Sequence, residues 1–199
     1  ADEGSAPGGS LLNDRVEIAG EPALNWATRT VAELRSMPDV RLLTRGTVFG
    51  YFDHNALTIT EHVPETAGHA PAQRLWKVRA KQVVLATGAL ERPLVFANND
   101  RPGVMLASAA RAYANRYAVK AGSRAVVFTN NDSAYATALD LKASGIEVAM
   151  IVDARAGTLG HAPKRAAESG IERRFGSAIV RARGGRHVNA VEIANVDEG

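Results

Sequence analysis

Cysteine is absent from the 199 residues of this sequence. That absence excludes a disulfide framework, a thiolate nucleophile and a metal site built on thiolates, and it suits a reducing compartment. Long apolar runs are missing too, since none approaches the roughly 20 residues that a membrane-spanning helix needs. The charged, apolar and small-residue series of a signal peptide is also lacking. We therefore expect a soluble, cytoplasmic protein.

Positive and negative charges are nearly balanced in this sequence. The formal net charge is +3 and the arginines are dispersed, so composition gives no reason to expect a nucleic-acid partner. The exception is a basic cluster around Arg183-Gly184-Gly185-Arg186, where Gly-Gly between two alternating apolar runs is typical of a β-hairpin turn. Catalytic signatures are also lacking: we find no Ser-His-Asp order, no phosphate-binding lysine loop and no paired carboxylates.

The five histidines give no indication of a metal site. None pairs with another at the i, i+4 spacing of a zinc site on a helix, and none accompanies a carboxylate motif. We interpret them as structural or solvated residues and predict neither a metal nor a catalytic residue in this chain. They are His54, His62, His69, His161 and His187.

The most informative stretch that is present runs from Val126 to Asp153. An apolar run leads into a turn and a helix-like segment that stops at Gly145, and a second apolar run ends in an acid. This is the layout of a dinucleotide-binding βαβ unit, in which the closing acid binds ribose. The three glycine positions of the turn, however, are occupied by Thr129, Asn131 and Ala134.

These replacements predict a degenerate turn. The Asn131 side chain fills the space that the second glycine leaves for a pyrophosphate, and Asp132 adds a negative charge beside it. We predict that Asp132 and Ser133 cap the following helix instead. Asp153 stays a ribose-type acid with Arg155 as a candidate partner for a 2′-phosphate, but a structural unit without a nucleotide is the interpretation we favour.

The start of the chain carries a second possible nucleotide site. An acid at the end of the second strand of a nucleotide-binding unit holds ribose hydroxyls, and either Asp2 or Glu3 fits that place. Gly8 and Gly9 would let the backbone pass close to a nucleotide, and Ser10 could donate a hydroxyl hydrogen bond or cap the next segment. We therefore expect an internal piece of a longer polypeptide whose first strand, glycine turn and first helix lie upstream.

Between these two sites the pattern predicts helices and strands in alternation. The predicted helices are Pro22 to Met37, Ser108 to Tyr117 and Pro163 to Glu168. The predicted strands are 40–43, a meander of 47–52, 56–63 and 75–78, a buried parallel strand at 82–89, 171–175, and a hairpin of 178–182 and 187–193. This pattern predicts an α/β fold of two domains, 1–102 and 103–199, each a βαβ unit with an antiparallel meander, the first incomplete at its N-terminus.

Several motifs resemble one known family. They lie at residues 8–12, 74–76, 83–96, 99–105 and 128–135, and the most specific are Arg101-Pro102-Gly103-Val104-Met105 and Thr129-Asn130-Asn131-Asp132-Ser133. The sequence resembles the FAD/NAD(P)-binding flavoproteins with two Rossmann-like domains, which have the glutathione-reductase-like fold. Within them it resembles the alpha subunit of bacterial heterotetrameric sarcosine oxidase.

That resemblance implies an oxidoreductase subunit. Enzymes of the family oxidatively demethylate sarcosine to glycine, pass the methyl carbon to tetrahydrofolate or release it as formaldehyde, and produce hydrogen peroxide. The resemblance implies NAD in the first unit, FAD and FMN in the whole complex, and a heterotetramer whose beta subunit oxidises the amine. This chain would hold the cofactor and support assembly, and we expect it to be inactive alone.

The resemblance also implies further cofactor contacts. Thr47 and Val48 open the meander, where this fold reads adenine through backbone N–H and C=O groups. Ala86, Thr87 and Gly88 would end their strand against the cofactor, and the glycine would allow a close approach.

Three alternatives stay open. One is the alpha-type subunit of a related amine-oxidising complex, such as an opine oxidase, a proline dehydrogenase or a hydrogen cyanide synthase. The second is a non-catalytic scaffold whose nucleotide sites have decayed, and the third is a self-sufficient NADH-dependent flavin reductase. Because a sheet without its middle strand is incomplete, we expect residues 1–199 alone to be unstable and to bind nucleotide poorly.

Overall fold

The computed structural model describes residues 1–64, 71–157 and 160–196 of the chain. The chain divides into two compact units, Ala1–Ala89 and Leu90–Gly199. The sequence placed the domain boundary at residue 102, and that boundary stays a prediction. His69, which we interpreted as structural or solvated, lies outside the described residues.

The first unit begins with short elements that lead into a helix. They are a 3₁₀ turn (Gly9–Leu12), a small hairpin of β1 (Glu17–Ile18) and β2 (Glu21–Pro22), and helix α1 (Ala23–Ser36). Helix α1 starts directly after a proline and ends shortly before Pro38, which confirms the predicted helix, because proline is tolerated at a helix start but not in its interior. Ala23 and Ala27 form its buried face.

A three-stranded antiparallel meander follows, as predicted. Its strands are β3 (Gly46–Phe52), β4 (Ala56–His62) and β5 (Gln73–Arg79), in the spatial order β3-β4-β5. Ile59 at the centre of β4 is buried, and it pairs with Val48 on one side and Trp76 on the other. A Cβ atom on Gly46 would lie 3.4 Å from the Leu43 side chain and 3.6 Å from that of Ile59.

Two predicted strands of the first unit are wrong. Residues 40–43 form no strand, and the Arg41 guanidinium instead lies 5.1 Å from the centre of the Trp76 ring. Residues 82–89 form no strand either, and Val84 is 88% exposed. A strand that is buried on both faces needs parallel neighbours, whereas the described strands of the first unit pair only in antiparallel fashion.

The second unit contains the predicted βαβ arrangement. Its elements are α2 (Ala107–Arg116), β6 (Arg124–Thr129), α3 (Ser133–Ala143), β7 (Glu147–Asp153), α4 (His161–Glu168), β8 (Arg173–Arg174), β9 (Ser177–Gly184) and β10 (Val188–Asn195). Strands β6, β7 and β8 are parallel in that order, and β9 and β10 form the predicted antiparallel hairpin. The core between this sheet and its helices includes Val127, Tyr135, Ala138, Leu141, Ile151 and Ala166.

The irregular segment 90–106 is bonded to the hairpin. Ala97 forms an isolated parallel bridge with Arg181 of β9. Further along, the backbone amide of Val188 donates to the carbonyl of Pro102 over 2.9 Å. These bonds place the segment firmly within the second unit.

The Arg101-Pro102-Gly103 motif has a structural explanation in the same contact. The Arg101 guanidinium donates to the carbonyls of Gly184 and Gly185 in the hairpin turn. A Cβ atom on Gly103 would lie 2.7 Å from a methyl group of Val188, and the φ of +97° at this glycine is one that other residues rarely adopt. The motif therefore fixes the segment to the hairpin.

Glu91 caps helix α2 from a distance in sequence. Its carboxylate accepts hydrogen bonds from the backbone N–H groups of Ala107 (3.0 Å) and Ser108 (2.7 Å), the first residues of the helix. A negative charge at this end also suits the helix dipole.

No helix in the described part of the chain is long and apolar enough to span a membrane.

Candidate functional site

Asp2 is bonded beside the start of the meander. Its backbone N–H donates to the carbonyl of Leu43 over 2.8 Å, and its carbonyl accepts from the N–H of Gly46 over 2.9 Å. Gly46 is the first residue of β3, so the acid lies next to Thr47 and Val48. The structure thus brings together the predicted ribose acid and the strand predicted to read adenine.

The side chains of the two candidate acids differ in their surroundings. One carboxylate oxygen of Asp2, Oδ1, accepts a hydrogen bond from the Gly4 N–H over 2.7 Å, and the residue is half-buried. Glu3 is exposed. A carboxylate oriented by a backbone amide is better placed to hold a ligand than a free one, because less side-chain entropy is lost on binding.

The two glycines of the Gly8-Gly9-Ser10 segment differ in the space around them. Gly8 has a φ of +141°, and a Cβ there would lie 2.9 Å from the Leu12 side chain, so backbone conformation and packing together favour glycine. Gly9 has a φ of +52°, and no heavy atom lies within 4 Å of the place of its Cβ. Ser10 is exposed. The backbone at Gly9 is therefore open to a ligand.

The other candidates lie on exposed backbone. Strand β3 forms an edge of the described meander, and both Thr47 and Val48 are exposed there. Ala86, Thr87 and Gly88 are also exposed, on a segment without regular secondary structure rather than at the end of a buried strand. These three residues therefore do not end a strand in this structure, as they were expected to do.

In the second unit the degenerate turn is held by its own side chains. The Thr129 hydroxyl accepts from the Asn131 N–H (3.1 Å) and donates to the Asn131 carbonyl (2.8 Å). Asn131 Oδ1 accepts from both the N–H (3.0 Å) and the hydroxyl (2.6 Å) of Ser133, the first residue of α3. The prediction that Asp132 and Ser133 supply the cap is wrong. Asp132 occupies the cap position without a capping bond from its side chain, and Asn131 takes that role.

Asp153, at the end of β7, is fully buried and bonded on both carboxylate oxygens. Its Oδ2 accepts from the Tyr135 hydroxyl and from Arg155 Nη2, each over 2.7 Å. Its Oδ1 accepts from the backbone N–H and from Nε of Arg155, each over 3.0 Å. Arg155 Nη2 also reaches Asp132 Oδ1 over 2.9 Å. The predicted ribose acid and the predicted 2′-phosphate partner therefore bind each other.

The electrostatics follow from this burial and bonding. Burial raises the pKa of the Tyr135 hydroxyl, and its bond to the Asp153 carboxylate raises that pKa further. Burial by itself favours the neutral form of Asp153, but the hydrogen bonds from Arg155 and Tyr135 outweigh it and hold the pKa of this carboxyl below its usual value. The bond to Asp153 likewise raises the pKa of Arg155. The carboxylate and the guanidinium thus stay charged in the neutral range.

Comparison with known protein sequences tests the resemblance to sarcosine oxidase alpha subunits. No family model matches the chain. It is 45% identical to the sarcosine oxidase subunit alpha of Rhizobium meliloti (strain 1021), with 96% of this chain and 19% of the relative covered. It is 44% identical to the sarcosine oxidase subunit alpha of Corynebacterium sp. (strain P-1), with 99% and 21% covered. The resemblance to sarcosine oxidase alpha subunits is confirmed. The chain spans about one fifth of the length of these relatives.

Solved structures confirm the fold. An L-proline dehydrogenase from P. horikoshii superposes with a TM-score of 0.65 at 19% identity, covering 98% of this chain and 34% of its own. A thioredoxin reductase from T. acidophilum superposes with a TM-score of 0.67 at 12% identity, covering 98% of this chain and 61% of its own. The α/β fold predicted from the sequence is therefore confirmed, and similarity at such low identity shows the fold alone.

Sequence reasoning missed two polar roles. The Tyr135 side chain is buried, and its hydroxyl also donates a hydrogen bond to the buried Asp153. The Glu91 carboxylate caps α2. A tyrosine near the start of α3 facing an acid at the end of β7 was a usable signal for the first role, since buried tyrosine hydroxyls need partners.

Proposed function

We propose that the first unit binds a dinucleotide, NAD, as part of the alpha subunit of a sarcosine oxidase complex. The observation that carries the proposal is the 45% identity, over 96% of the chain, to an alpha subunit of that enzyme. The position of Asp2 beside exposed Thr47 and Val48 supports it. A carboxylate in such a place accepts hydrogen bonds from ribose, while strand backbone groups read adenine.

The remaining candidates surround that site in the proposal. Glu3 is the second candidate for the ribose contact. Gly8 and Gly9 let the chain approach the nucleotide, with the open backbone at Gly9 as the closer of the two, and Ser10 offers a hydroxyl. Ala86, Thr87 and Gly88 lie against the cofactor once their segment has strand neighbours in the whole subunit.

In the assembled enzyme the alpha subunit is a cofactor-holding and assembly part. The complex demethylates sarcosine oxidatively to glycine, with formaldehyde or 5,10-methylenetetrahydrofolate and hydrogen peroxide as the other products. FAD and FMN carry the electrons, and the amine is oxidised on the beta subunit. The residues of the present chain bind and position, and they donate or accept no hydride.

The test is the nucleotide content of the whole complex. The full-length subunit is produced together with its partner subunits, purified gently and denatured, and the released NAD, FAD and FMN are separated and quantified. We expect one NAD per alpha subunit. Asp2→Asn weakens a charge-assisted hydrogen bond worth about 1.5–3 kcal/mol. We therefore expect the affinity of the subunit for NAD to fall by roughly tenfold or more.

Two companion variants sharpen that result. Glu3→Gln tells which of the two acids holds the ribose, because only one of the two substitutions is expected to reduce NAD binding. Glu33→Gln removes an exposed carboxylate from α1 and serves as the matched control with unchanged NAD content. A complex purified without NAD, or NAD retained in full by both Asp2→Asn and Glu3→Gln, contradicts the proposal.

The second candidate function is an alpha-type subunit of a related amine-oxidising complex. The superposition on an L-proline dehydrogenase over 98% of the chain favours keeping it, although it speaks for fold alone. An oxidation assay of the whole complex with sarcosine, L-proline, an opine and glycine distinguishes the two. Preference for sarcosine supports the first candidate, and preference for any other amine supports the second.

A further inference from the structure

The second unit has an anionic group where a glycine turn would receive a phosphate. Asp132 lies directly before helix α3, and its Oδ2 is 3.2 Å from the place a Cβ would take on Gly160, the residue before helix α4. The carboxylate therefore lies at the N-terminal ends of two helices. The partial positive charge of such ends favours an anion, which in dinucleotide-binding units is the pyrophosphate.

A cation completes the arrangement. Arg155 Nη2 lies 2.9 Å from Asp132 Oδ1 and 2.7 Å from Asp153 Oδ2, so one guanidinium joins the turn to the end of β7. Asp153 is fully buried and is also bonded by Tyr135, which fixes the position of Arg155. The guanidinium thus lies beside the turn whether or not Asp132 is charged.

The backbone amide that a phosphate would use is taken as well. Asn131 Oδ1 accepts from the Ser133 N–H in the first turn of α3. A phosphate entering this turn must displace that side chain and overcome repulsion from the Asp132 carboxylate. Two like charges about 4 Å apart repel by roughly 1 kcal/mol in water and by more near a protein surface.

We propose that the second unit supplies its own anion: the Asp132 carboxylate, bound by Arg155, takes the place of a dinucleotide phosphate and closes this unit to nucleotides. The inference does not depend on NAD binding by the first unit. In this proposal the phosphate position of the second unit is occupied by a side chain of the same chain. It also makes the charge of Asp132 the main electrostatic obstacle to an external anion at the turn.

The test uses the full-length subunit in its complex and inorganic pyrophosphate as the probe. Isothermal titration compares the wild-type protein with Asp132→Asn, which keeps the shape and removes the charge. We expect the variant to bind pyrophosphate at least tenfold more tightly than the wild type, because Arg155 then lacks one anionic partner. Asp132→Glu keeps the charge, and we expect it to bind no more tightly than the wild type.

Glu147→Gln is the matched control. It breaks the exposed pair of Glu147 with Arg124 on the same two strands, at their opposite ends, so it removes one negative charge away from the turn. We expect no gain in pyrophosphate affinity. A gain equal to that of Asp132→Asn, or no gain in Asp132→Asn, overturns the proposal.

A second measurement decides the matter if Asp132→Asn does not fold. Crystals of the wild-type complex are soaked in inorganic pyrophosphate, and the density above the turn at Asn131 is inspected. A turn that keeps the Asp132–Arg155 contact and holds no pyrophosphate supports the proposal. Pyrophosphate bound there, with Asp132 displaced, overturns it.

Discussion

Glu3, Thr47 and Gly88 are exposed in the first unit, whereas Asp153, the corresponding acid of the second unit, is fully buried and bonded on both oxygens. In the first unit backbone hydrogen bonds hold Asp2 beside the meander, and several other candidate side chains are exposed. The second unit joins its polar side chains to each other. A nucleotide-binding layout can therefore stay the same while its site is filled by side chains that satisfy one another's charge and hydrogen-bonding needs.

The largest difference between the two units is expected when the buried acid Asp153 is removed. Asp153→Ala leaves the Tyr135 hydroxyl without its acceptor and Arg155 without its buried partner, and we expect the second unit to lose about 3 kcal/mol of unfolding free energy. Hydrogen exchange of the β7 and α3 amides in the full-length protein measures that loss. Glu147→Ala, on the same strand but in an exposed pair, should change the exchange by less than about 0.5 kcal/mol. Equal effects would show that the buried network contributes no more unfolding free energy than the exposed pair.

The two glycines of the first unit offer a contrast within one segment. Gly8→Ala brings a methyl group to 2.9 Å from Leu12 in an unfavourable backbone conformation, so we expect it to destabilise the first unit by about 2 kcal/mol. Gly9→Ala meets no neighbour and should cost only about 1 kcal/mol of backbone strain. Thermal unfolding measures both effects. A larger loss of bound NAD in Gly9→Ala than in Gly8→Ala would place the nucleotide against Gly9.

The pH dependence of stability should differ between the units. The pKa of Asp153 is lowered in the folded state, so its contribution is complete above its unfolded value and is lost as the pH falls below ~4. The pKa of Tyr135 is raised, so its contribution is complete below its unfolded value and is lost as the pH rises above ~10.

Tyr135→Phe tests that dependence. It should remove the loss of stability at high pH and reduce stability at neutral pH by about 1 kcal/mol, because Asp153 loses one donor but keeps Arg155. Exchange protection of α3 measured from acid to alkaline pH follows both changes. An alkaline loss that persists in the variant would assign it to another group.

The smallest expected effect concerns the cap of α2. Glu91→Ala removes the acceptor for two amides at the start of the helix, and we expect a local loss of about 1 kcal/mol. Glu91→Gln keeps an acceptor oxygen and should lose less. Amide exchange at Ala107 and Ser108 measures both, and equal exchange in wild type and both variants would contradict the role of Glu91.

Local patterns predicted most of the fold. The proline before α1, the alternation in β3 to β5 and the glycine step between β9 and β10 each specify an element without help from distant residues. The apolar run at 82–89 failed as a prediction because a buried strand is defined by its neighbours, and the described part of the first unit supplies no parallel ones.

The candidate site was harder to predict than the fold. The degenerate turn was visible in the sequence because three glycine positions hold other residues, but the pairing of those residues was not. Asp132 was expected to cap its own helix, yet it is bonded to Arg155, which lies 23 positions further along. The βαβ layout placed the end of β7 near the turn after β6, but it did not show that Arg155 bonds to Asp132 rather than facing a nucleotide.

The bonds between Arg101 and the hairpin turn join groups 83 and 84 positions apart in the chain. At a synthesis rate of about 5–20 residues per second, a ribosome needs roughly 4–17 seconds to make the residues that separate them. During that interval the segment around Arg101 exists without its partner strands. The contact that fixes this segment therefore cannot form until the hairpin has been synthesised.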